Sequence, residues 1–383
     1  MFQKEFEDIR PYNDSEINAA LNRLTNYPQF KNVLQYLYPE SEHSKIINLL
    51  NNIQTIYDLQ SKFMRKLVFD VVAKTSSGLS ITGLEHLSPK IPYLFISNHR
   101  DIVLDSAILQ AVLNENNFPT TEITFGSNLM SFPLIVDFGK ANRMFKVNRS
   151  GNPREILANS KILSAYIRHV ITEKKVSVWI AQRNGRTKDG NDKTEIALLK
   201  MLNMSGKKSI IENFNEMNIV PVSVSYEIEP CDAEKVRELY ISLHQKYEKK
   251  PGEDIANIIK GITQPKGRIH LAFGKPVTSE TLFSFSRDNF IKEFSFYIDK
   301  IIYSNYKLWT SNFIAYDLAY GNNIYSGKYT HQQKQKFLNY KNETLVKIEG
   351  NQEKLNTIFL NLYANPVKNF ENSSQKSMEK KNN

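Results

Sequence analysis

Short runs of β-branched and aromatic residues alternate with longer helical patterns in the middle of the chain, and this alternation restricts the fold more than any other feature. The runs that predict strands cover residues 79–82, 93–97, 122–125, 144–147, 176–181, 219–226 and 268–273. The helical patterns between them cover residues 102–113, 129–137, 153–173 and 195–204. Strands separated by helices of that length predict an α/β sheet with helices on its faces. Ligand sites in such sheets gather at strand ends and in the loops that follow.

Helical patterns also flank this central part on both sides. Apolar residues recur at helical intervals over residues 14–74, 280–319 and 332–364. After residue 366 the composition is mainly Lys, Asn, Ser and Glu, which is typical of a solvated tail. We therefore predict four parts, which are a helical N-terminal region (1–75), an α/β domain (76–280), a helical C-terminal region (281–365) and a disordered tail (366–383).

The charge balance restricts the partner and the compartment. Lys and Arg number 50 against 40 Asp and Glu, a net charge of +10. This excess favours an anionic partner such as nucleic acid, anionic lipid or a phosphorylated substrate, although a basic surface without a partner is an alternative. Cys231 is the only cysteine, which excludes an intramolecular disulfide and favours a reducing, cytoplasmic compartment. We find no secretion signal and no apolar run of about 18 residues, so any membrane contact is expected at the surface.

The segment that follows the second predicted strand carries the residues best suited to catalysis. The strand ends at Ser97, and His99 lies in the turn that follows. Asp101 occupies the position of a helix N-cap, and Asp105 lies one helical turn further on the same side. Both carboxylates can therefore face His99, and a His–Asp pair is an arrangement for general-base catalysis. In the alternative interpretation Asp101 only caps the helix, Asp105 lies at the surface and His99 merely forms hydrogen bonds.

Basic residues collect after two other predicted strands. The first group ends the strand at 144–147 and the second fills the loop after 176–181. The cations concerned are Arg143, Lys146 and Arg149 in the first group, and Arg183, Arg186 and Lys188 in the second. Gly185 and Gly190 would let the second loop approach a ligand closely. If the sheet brings these strand ends to His99, a cationic pocket suited to phosphate faces the base; a basic, solvated rim is the alternative.

Five sequence blocks in this order resemble the glycerolphosphate and lysophosphatidate acyltransferase superfamily. They are Asn98-His99-Arg100 with the following Asp, and the segments 142–149, 179–190, 219–226 and 272–277. The resemblance covers residues 78–277. Two departures stand out. Five residues rather than the usual four separate His99 from Asp105, which makes Asp101 the fallback partner, and Asn184 replaces the usual Glu, with one residue missing before Lys188.

The resemblance implies a mixed, mostly parallel sheet flanked by helices and an O-acyltransferase of phospholipid synthesis. A fatty acyl group would pass from acyl-carrier protein or acyl-CoA to a hydroxyl of glycerol 3-phosphate or of 1-acylglycerol 3-phosphate. His99 would be the general base, Asp105 would orient it, and backbone N–H groups at the helix start would stabilise the oxyanion. The acceptor would be bound by Arg143, Arg149, Arg183, Asn184, Gly185, Arg186 and Lys188. No metal or other cofactor is expected, and the enzyme would lie on the anionic inner face of the cytoplasmic membrane.

Three other functions compete with this one. The loss of a charge at Asn184 keeps a different lyso-lipid acceptor, such as a lyso-aminolipid, in consideration. The same departure and the extra residue in the first block also fit a catalytically degenerate, lipid-binding protein. A basic nucleic-acid-binding protein is the remaining class, but the basic residues collect after strands beside a His–Asp pair instead of alternating with exposed aromatics.

Overall fold

A computed structural model describes the backbone of residues 5–130 and 132–379, and the side chains of that range as far as Ser373. Seven strands form one sheet in the order β1-β7-β6-β2-β5-β3-β4, and every neighbouring pair is parallel except β6 and β7. The strands are β1 (Gly78–Thr82), β2 (Leu94–Ser97), β3 (Glu122–Gly126), β4 (Met144–Val147), β5 (Val178–Ala181), β6 (Ile219–Tyr226) and β7 (Arg268–Phe273). This confirms the predicted mixed, mostly parallel sheet and all seven predicted strands.

The longer helices lie between the strands and at both ends of the chain. They are α1 (Asp14–Asn26), α2 (Pro28–Leu37), α3 (Glu40–Asn52), α4 (Arg65–Thr75), α5 (Leu104–Glu115), α6 (Pro133–Ala141), α7 (Pro153–Thr172), α8 (Ile196–Asn203), α9 (Ile210–Asn215), α10 (Asp232–Ser242), α11 (Glu253–Thr263), α12 (Ser279–Phe283), α13 (Phe290–Asn305), α14 (Thr310–Tyr320), α15 (His331–Leu345) and α16 (Gln352–Glu379). Helical turns at Ile56–Asp58 and Leu59–Met64 lead directly into α4. None of the helices in this described part of the chain is long and apolar enough to cross a membrane.

Alternate residues of the central strands face two hydrophobic layers. In β2, Phe95 packs into one layer with α1–α5, whereas Leu94 and Ile96 pack into the other with α7, α8 and α13. Because both faces of the sheet are covered, β2 is apolar at nearly every position, as expected for a central parallel strand. The N-terminal helices therefore share one core with the sheet.

The C-terminal helices form a third hydrophobic cluster, in which Phe359 and Leu355 are fully buried. The predicted disordered tail of 366–383 is wrong for residues 366–373, which continue α16. Val367 is fully buried and attaches the beginning of this polar-rich segment to the folded part of the protein. Residues 380–383 lie outside the described residues.

Replacing Phe359 with Ala should lower the free energy of unfolding by about 3–5 kcal/mol, because it removes a fully buried aromatic ring from the third cluster. The midpoint of urea denaturation, followed by circular dichroism, measures this change. Val346 is 76% exposed and supplies the control, so Val346→Ala should change the stability by less than about 0.5 kcal/mol. Equal effects of the two substitutions would contradict the packing of the C-terminal helices.

Candidate active site

The turn between β2 and α5 brings His99 and Asp105 together. His99 Nδ1 lies 2.9 Å from Asp105 Oδ2, and the side chains are 13% and 1% exposed, respectively. Because an ionised carboxylate only accepts hydrogen bonds, this contact assigns the ring proton to Nδ1. The other ring nitrogen, Nε2, is then the one that can accept a proton from a substrate. The extra residue in the turn thus leaves the predicted pair intact.

The carboxylate of Asp105 receives four hydrogen bonds. Besides the His99 ring, Oδ2 accepts from the backbone N–H of Arg100 (2.6 Å) and of Asp101 (2.9 Å). The hydroxyl of Tyr226, the last residue of β6, donates to Oδ1 at 2.8 Å. Four hydrogen-bond donors replace the water that a carboxylate would otherwise need, so a charged carboxylate can be almost completely buried here.

Tyr226 was missed in the sequence, where it reads only as the last residue of an apolar strand. Burial and the adjacent charge of Asp105 raise the pKa of its phenol well above its usual value. It therefore remains a hydrogen-bond donor at every pH of interest. Its position on β6, next to β2, is what brings it within reach of Asp105.

Asp101 does not serve as the fallback partner of His99. Its Oδ1 accepts the backbone N–H groups of Val103 (2.9 Å) and Leu104 (2.8 Å), which explains why α5 begins two residues later than predicted. The N–H groups of residues 100 and 101 are bonded to Asp105 in turn. The expectation that N–H groups at the helix start stabilise an oxyanion is therefore wrong for these four groups, because carboxylates of the protein already occupy them.

Two of the predicted acceptor-binding residues meet above the carboxyl end of the sheet. Arg149, in the loop after β4, donates to the side-chain oxygen of Asn184, in the loop after β5. Both residues are exposed, and the neighbouring Gly185 has a φ of +74° with open space where a side chain would begin. Arg183 lies in the same loop, and its Nε is a buried donor that has no acceptor among the described residues. These loops therefore present two guanidinium groups on the side of the sheet where His99 lies.

Arg143 does not lie with the other predicted acceptor-binding residues. Arg143 precedes β4 instead of following it, so it lies at the amino end of the strand, the edge opposite to His99. Its Nη1 donates to the carbonyl of Thr120, and burial lowers the pKa of the guanidinium. The prediction that Arg143 binds the acceptor is wrong, because a short strand places its two flanking arginines at opposite edges of the sheet.

Arg186 and Lys188 also lie in the predicted loop, but their surroundings differ. Lys188 forms an ion pair with Glu238 of α10, which neutralises its charge. Arg186 is 8% exposed and lies against the thiol of Cys231, whose pKa is raised by burial. The ion pair withdraws Lys188 from acceptor binding, whereas Nη1 of Arg186 is a buried donor that has no acceptor among the described residues, so Arg186 stays a predicted ligand of the acceptor. Within the described residues, no three His, Cys, Asp or Glu side chains are grouped in a way that could hold a metal ion.

Comparison with known proteins concerns the part of the chain that carries this site. Residues 78–227, from β1 to the first residue after β6, match a family model described as Acyltransferase, which confirms the acyltransferase resemblance. Among solved structures, the chain is similar to the crystal structure of the 1-acyl-sn-glycerophosphate (LPA) acyltransferase, PlsC, from Thermotoga maritima. That similarity has 12% sequence identity and a TM-score of 0.37 and covers 75% of this chain and 91% of that chain, and it adds nothing to what the family match shows. A search of curated proteins found no match.

Asp299, a buried carboxylate with a raised pKa, binds the end of the loop after β5. Asp299 of α13 accepts the backbone N–H of Thr194 at 2.7 Å. Burial, assisted by the charge of Asp192, raises the pKa of Asp299 to about 6 from its ordinary value of 3.8. The folded protein thus binds the proton more tightly than the unfolded chain, so the contribution of Asp299 to stability is greatest below pH 3.8. That contribution is lost as the pH rises through 6.

We therefore expect Asp299→Asn to stabilise the protein by about 2–3 kcal/mol at pH 7.5, since the amide cannot ionise but can still accept from Thr194. The gain should shrink as the pH falls from 6 to 4. Urea denaturation of both proteins at several pH values measures the difference. A gain that grows on acidification would show that the carboxylate is not destabilised by burial.

Proposed function

We propose that this chain transfers a fatty acyl group from acyl-carrier protein or acyl-CoA to a hydroxyl of glycerol 3-phosphate or 1-acylglycerol 3-phosphate, since residues 78–227 match a family model described as Acyltransferase. The observation that carries this proposal is the contact of 2.9 Å between His99 and the buried Asp105 at the carboxyl end of the central strand. A ring held in that tautomer leaves Nε2 ready to act as a general base. The expected biological setting is phospholipid synthesis.

The proposed reaction is a direct transfer. Nε2 of His99 takes the proton of the acceptor hydroxyl while its oxygen forms a bond to the thioester carbonyl carbon. Asp105 stabilises the positive charge that develops on the ring. The tetrahedral intermediate then expels the thiol sulfur, which takes the proton back from Nε2, so an ester and a free thiol remain. The step consumes no cofactor, and the acyl thioester is a co-substrate.

Arg149 and Arg183 are the proposed ligands of the acceptor's phosphate. Arg149 reaches the mouth of the site, and its hydrogen-bond partner there is the neutral amide of Asn184. An amide in place of the usual carboxylate leaves the guanidinium charge available to an anionic acceptor. The buried Nε of Arg183 needs an acceptor, and a phosphate or carbonyl oxygen of a substrate would supply it.

The second candidate function is acylation of a different lyso-lipid, such as a lyso-aminolipid. The replacement of the usual Glu by Asn184 is the observation that favours it, because this residue contacts Arg149 where an acceptor head group would bind. In either case we propose a cytoplasmic enzyme held on the anionic inner face of the membrane, which a net charge of +10 would assist. Parallel assays with phosphorylated and aminolipid acceptors distinguish the two functions.

We expect His99→Ala to lower kcat by at least about 1,000-fold with little change in KM, because the general base is lost while the substrate pocket remains. Transfer of a labelled acyl group from acyl-carrier protein and, separately, from acyl-CoA measures this. The exposed His86 supplies the control, and His86→Ala should retain full activity. Undiminished transfer by His99→Ala would contradict the mechanism, and absence of transfer by the wild type to every acceptor would favour a degenerate lipid-binding protein.

Arg149→Gln should raise KM for a phosphorylated acceptor by about 10- to 100-fold, the loss expected when a hydrogen bond to a charged group is removed. KM for the acyl donor should stay unchanged. Arg143→Gln is the matched control from the opposite edge of the sheet and should leave both constants unchanged. If Arg143→Gln and Arg149→Gln weaken the acceptor equally, the assignment of Arg149 to the pocket fails.

A further inference from the structure

Four charged side chains are buried directly behind the turn that carries His99. Arg100, Asp192, Glu229 and Lys235 are each at most 2% exposed. Arg100 forms ion pairs with Asp192 (2.6 Å) and Glu229 (3.2 Å), and Lys235 pairs with Glu229 at 2.6 Å. The two positive and two negative charges therefore balance within one buried network.

Asp192 contacts the residues on both sides of His99. Its Oδ2 accepts from Asn98 Nδ2 at 2.9 Å, and from Nη2 (2.6 Å) and Nε (3.1 Å) of Arg100. Lys235 adds a third attachment, since its Nζ donates to the carbonyl of Arg100 at 2.7 Å. The backbone that precedes and follows the proposed base is thus held from one side by a single carboxylate.

Asn98 connects the same turn to the neighbouring strand. Its Oδ1 accepts the backbone N–H of Val224 at 2.8 Å, and its Nδ2 donates to the Val224 carbonyl at 2.9 Å as well as to Asp192. The amide therefore continues the ladder between β2 and β6 past the point where β2 ends. Val224 and Asp192 fix its orientation together, because only one orientation of the amide presents Oδ1 to the N–H group and Nδ2 to both the carbonyl and the carboxylate.

The C-terminal helices close the network off from water. The ring of Tyr306, which follows α13, lies 5.1 Å from the guanidinium carbon of Arg100. At Gly190 the loop comes so close to α16 that a β-carbon would lie 2.1 Å from the carbonyl oxygen of Leu362. The carbonyl of Gly190 also accepts from Arg100 at 3.3 Å. The network thus depends on a part of the chain outside the family match of residues 78–227.

Burial of four charges is not needed for stability, because apolar side chains of similar size commonly stabilise a core equally well. The geometry points to a different use, and we propose that Asp192 is a positioning residue. It fixes the turn of residues 98–101 so that the backbone N–H groups of Arg100 and Asp101 stay on Asp105, which in turn holds the His99 ring. This inference rests on the proposed function, because it assumes that the orientation of His99 limits the reaction.

Asp192→Asn tests the proposal, because the amide keeps the size of the side chain but removes the negative charge that pairs with Arg100 and strengthens the hydrogen bonds from Asn98 and Arg100 to Oδ2. We expect kcat to fall by about 100-fold, the loss that follows from a small displacement of a catalytic group. KM for donor and acceptor should change less than about twofold, since neither substrate touches Asp192. In ¹⁵N-histidine NMR, the hydrogen-bonded Nδ1 proton of His99, assigned by its loss in His99→Ala, should disappear.

Glu122→Gln is the matched control. Glu122 is 2% exposed, pairs with Lys174 and accepts from Tyr166 at 2.6 Å, but it lies at the amino end of β3. Glu122→Gln should therefore lower the urea midpoint as Asp192→Asn does, yet leave kcat and the His99 signal unchanged. If Asp192→Asn does not fold, Arg100→Met combined with Asp192→Asn removes one charge of each sign and leaves Lys235 paired with Glu229. We expect this pair to restore the fold but not kcat.

Recovery of kcat together with stability in the double variant, or an unchanged His99 signal in Asp192→Asn, would show that Asp192 has only a structural role. An increase in KM at constant kcat would place Asp192 in the substrate pocket and also overturn the proposal. The NMR signal does not depend on turnover, so it separates failure of this inference from failure of the proposed function, which His99→Ala tests directly.

Discussion

The arrangement at the carboxyl end of the sheet depends on the buried carboxylate of Asp105. A carboxylate removed from water keeps its charge only when hydrogen-bond donors replace the water. The donors are the His99 ring, two backbone N–H groups of the turn after β2, and the hydroxyl of Tyr226 on β6. One side chain therefore connects a helix, a turn and a strand. Displacing any of them would leave the buried charge without one of its hydrogen-bond donors. The orientation of the His99 ring is therefore fixed by the free-energy cost of losing a donor.

The basic residues near the site divide into two groups with different uses. Arg100 and Lys188 are neutralised by acidic residues of the same chain and serve the fold. Arg149 instead contacts a neutral amide at the surface, which leaves its charge available to a ligand. The net charge of +10 therefore says little about the charge inside the pocket. What matters is which cations lack an acidic neighbour within hydrogen-bond distance.

The C-terminal helices are part of the site's support although the family match ends before them. Tyr306 covers the guanidinium of Arg100, and Gly190 permits the close approach of α16 to the loop after β5. Because Asp192 lies in the same loop, the helices and the turn of His99 are connected through a few buried contacts. Because these helices keep water away from the buried charges, they lower the local dielectric constant and strengthen the ion pairs and hydrogen bonds behind the turn.

Local patterns in the amino-acid sequence were sufficient to predict all seven strands, the helices α5 to α8 between them and the placing of His99 and Asp105 after a central strand, but not α9, α10 and α11. Such features are encoded by periodicity and spacing within one short segment. The bounds predicted for the strand at 144–147 already place Arg143 and Arg149 at opposite ends of it. Only the tertiary structure decided that Tyr226 of β6 reaches Asp105, 121 residues away along the chain. It also decided the partners of Arg100, which lie 92 and 129 residues away along the chain. No local pattern encodes contacts at that separation, since they arise from the order in which the strands assemble into the sheet.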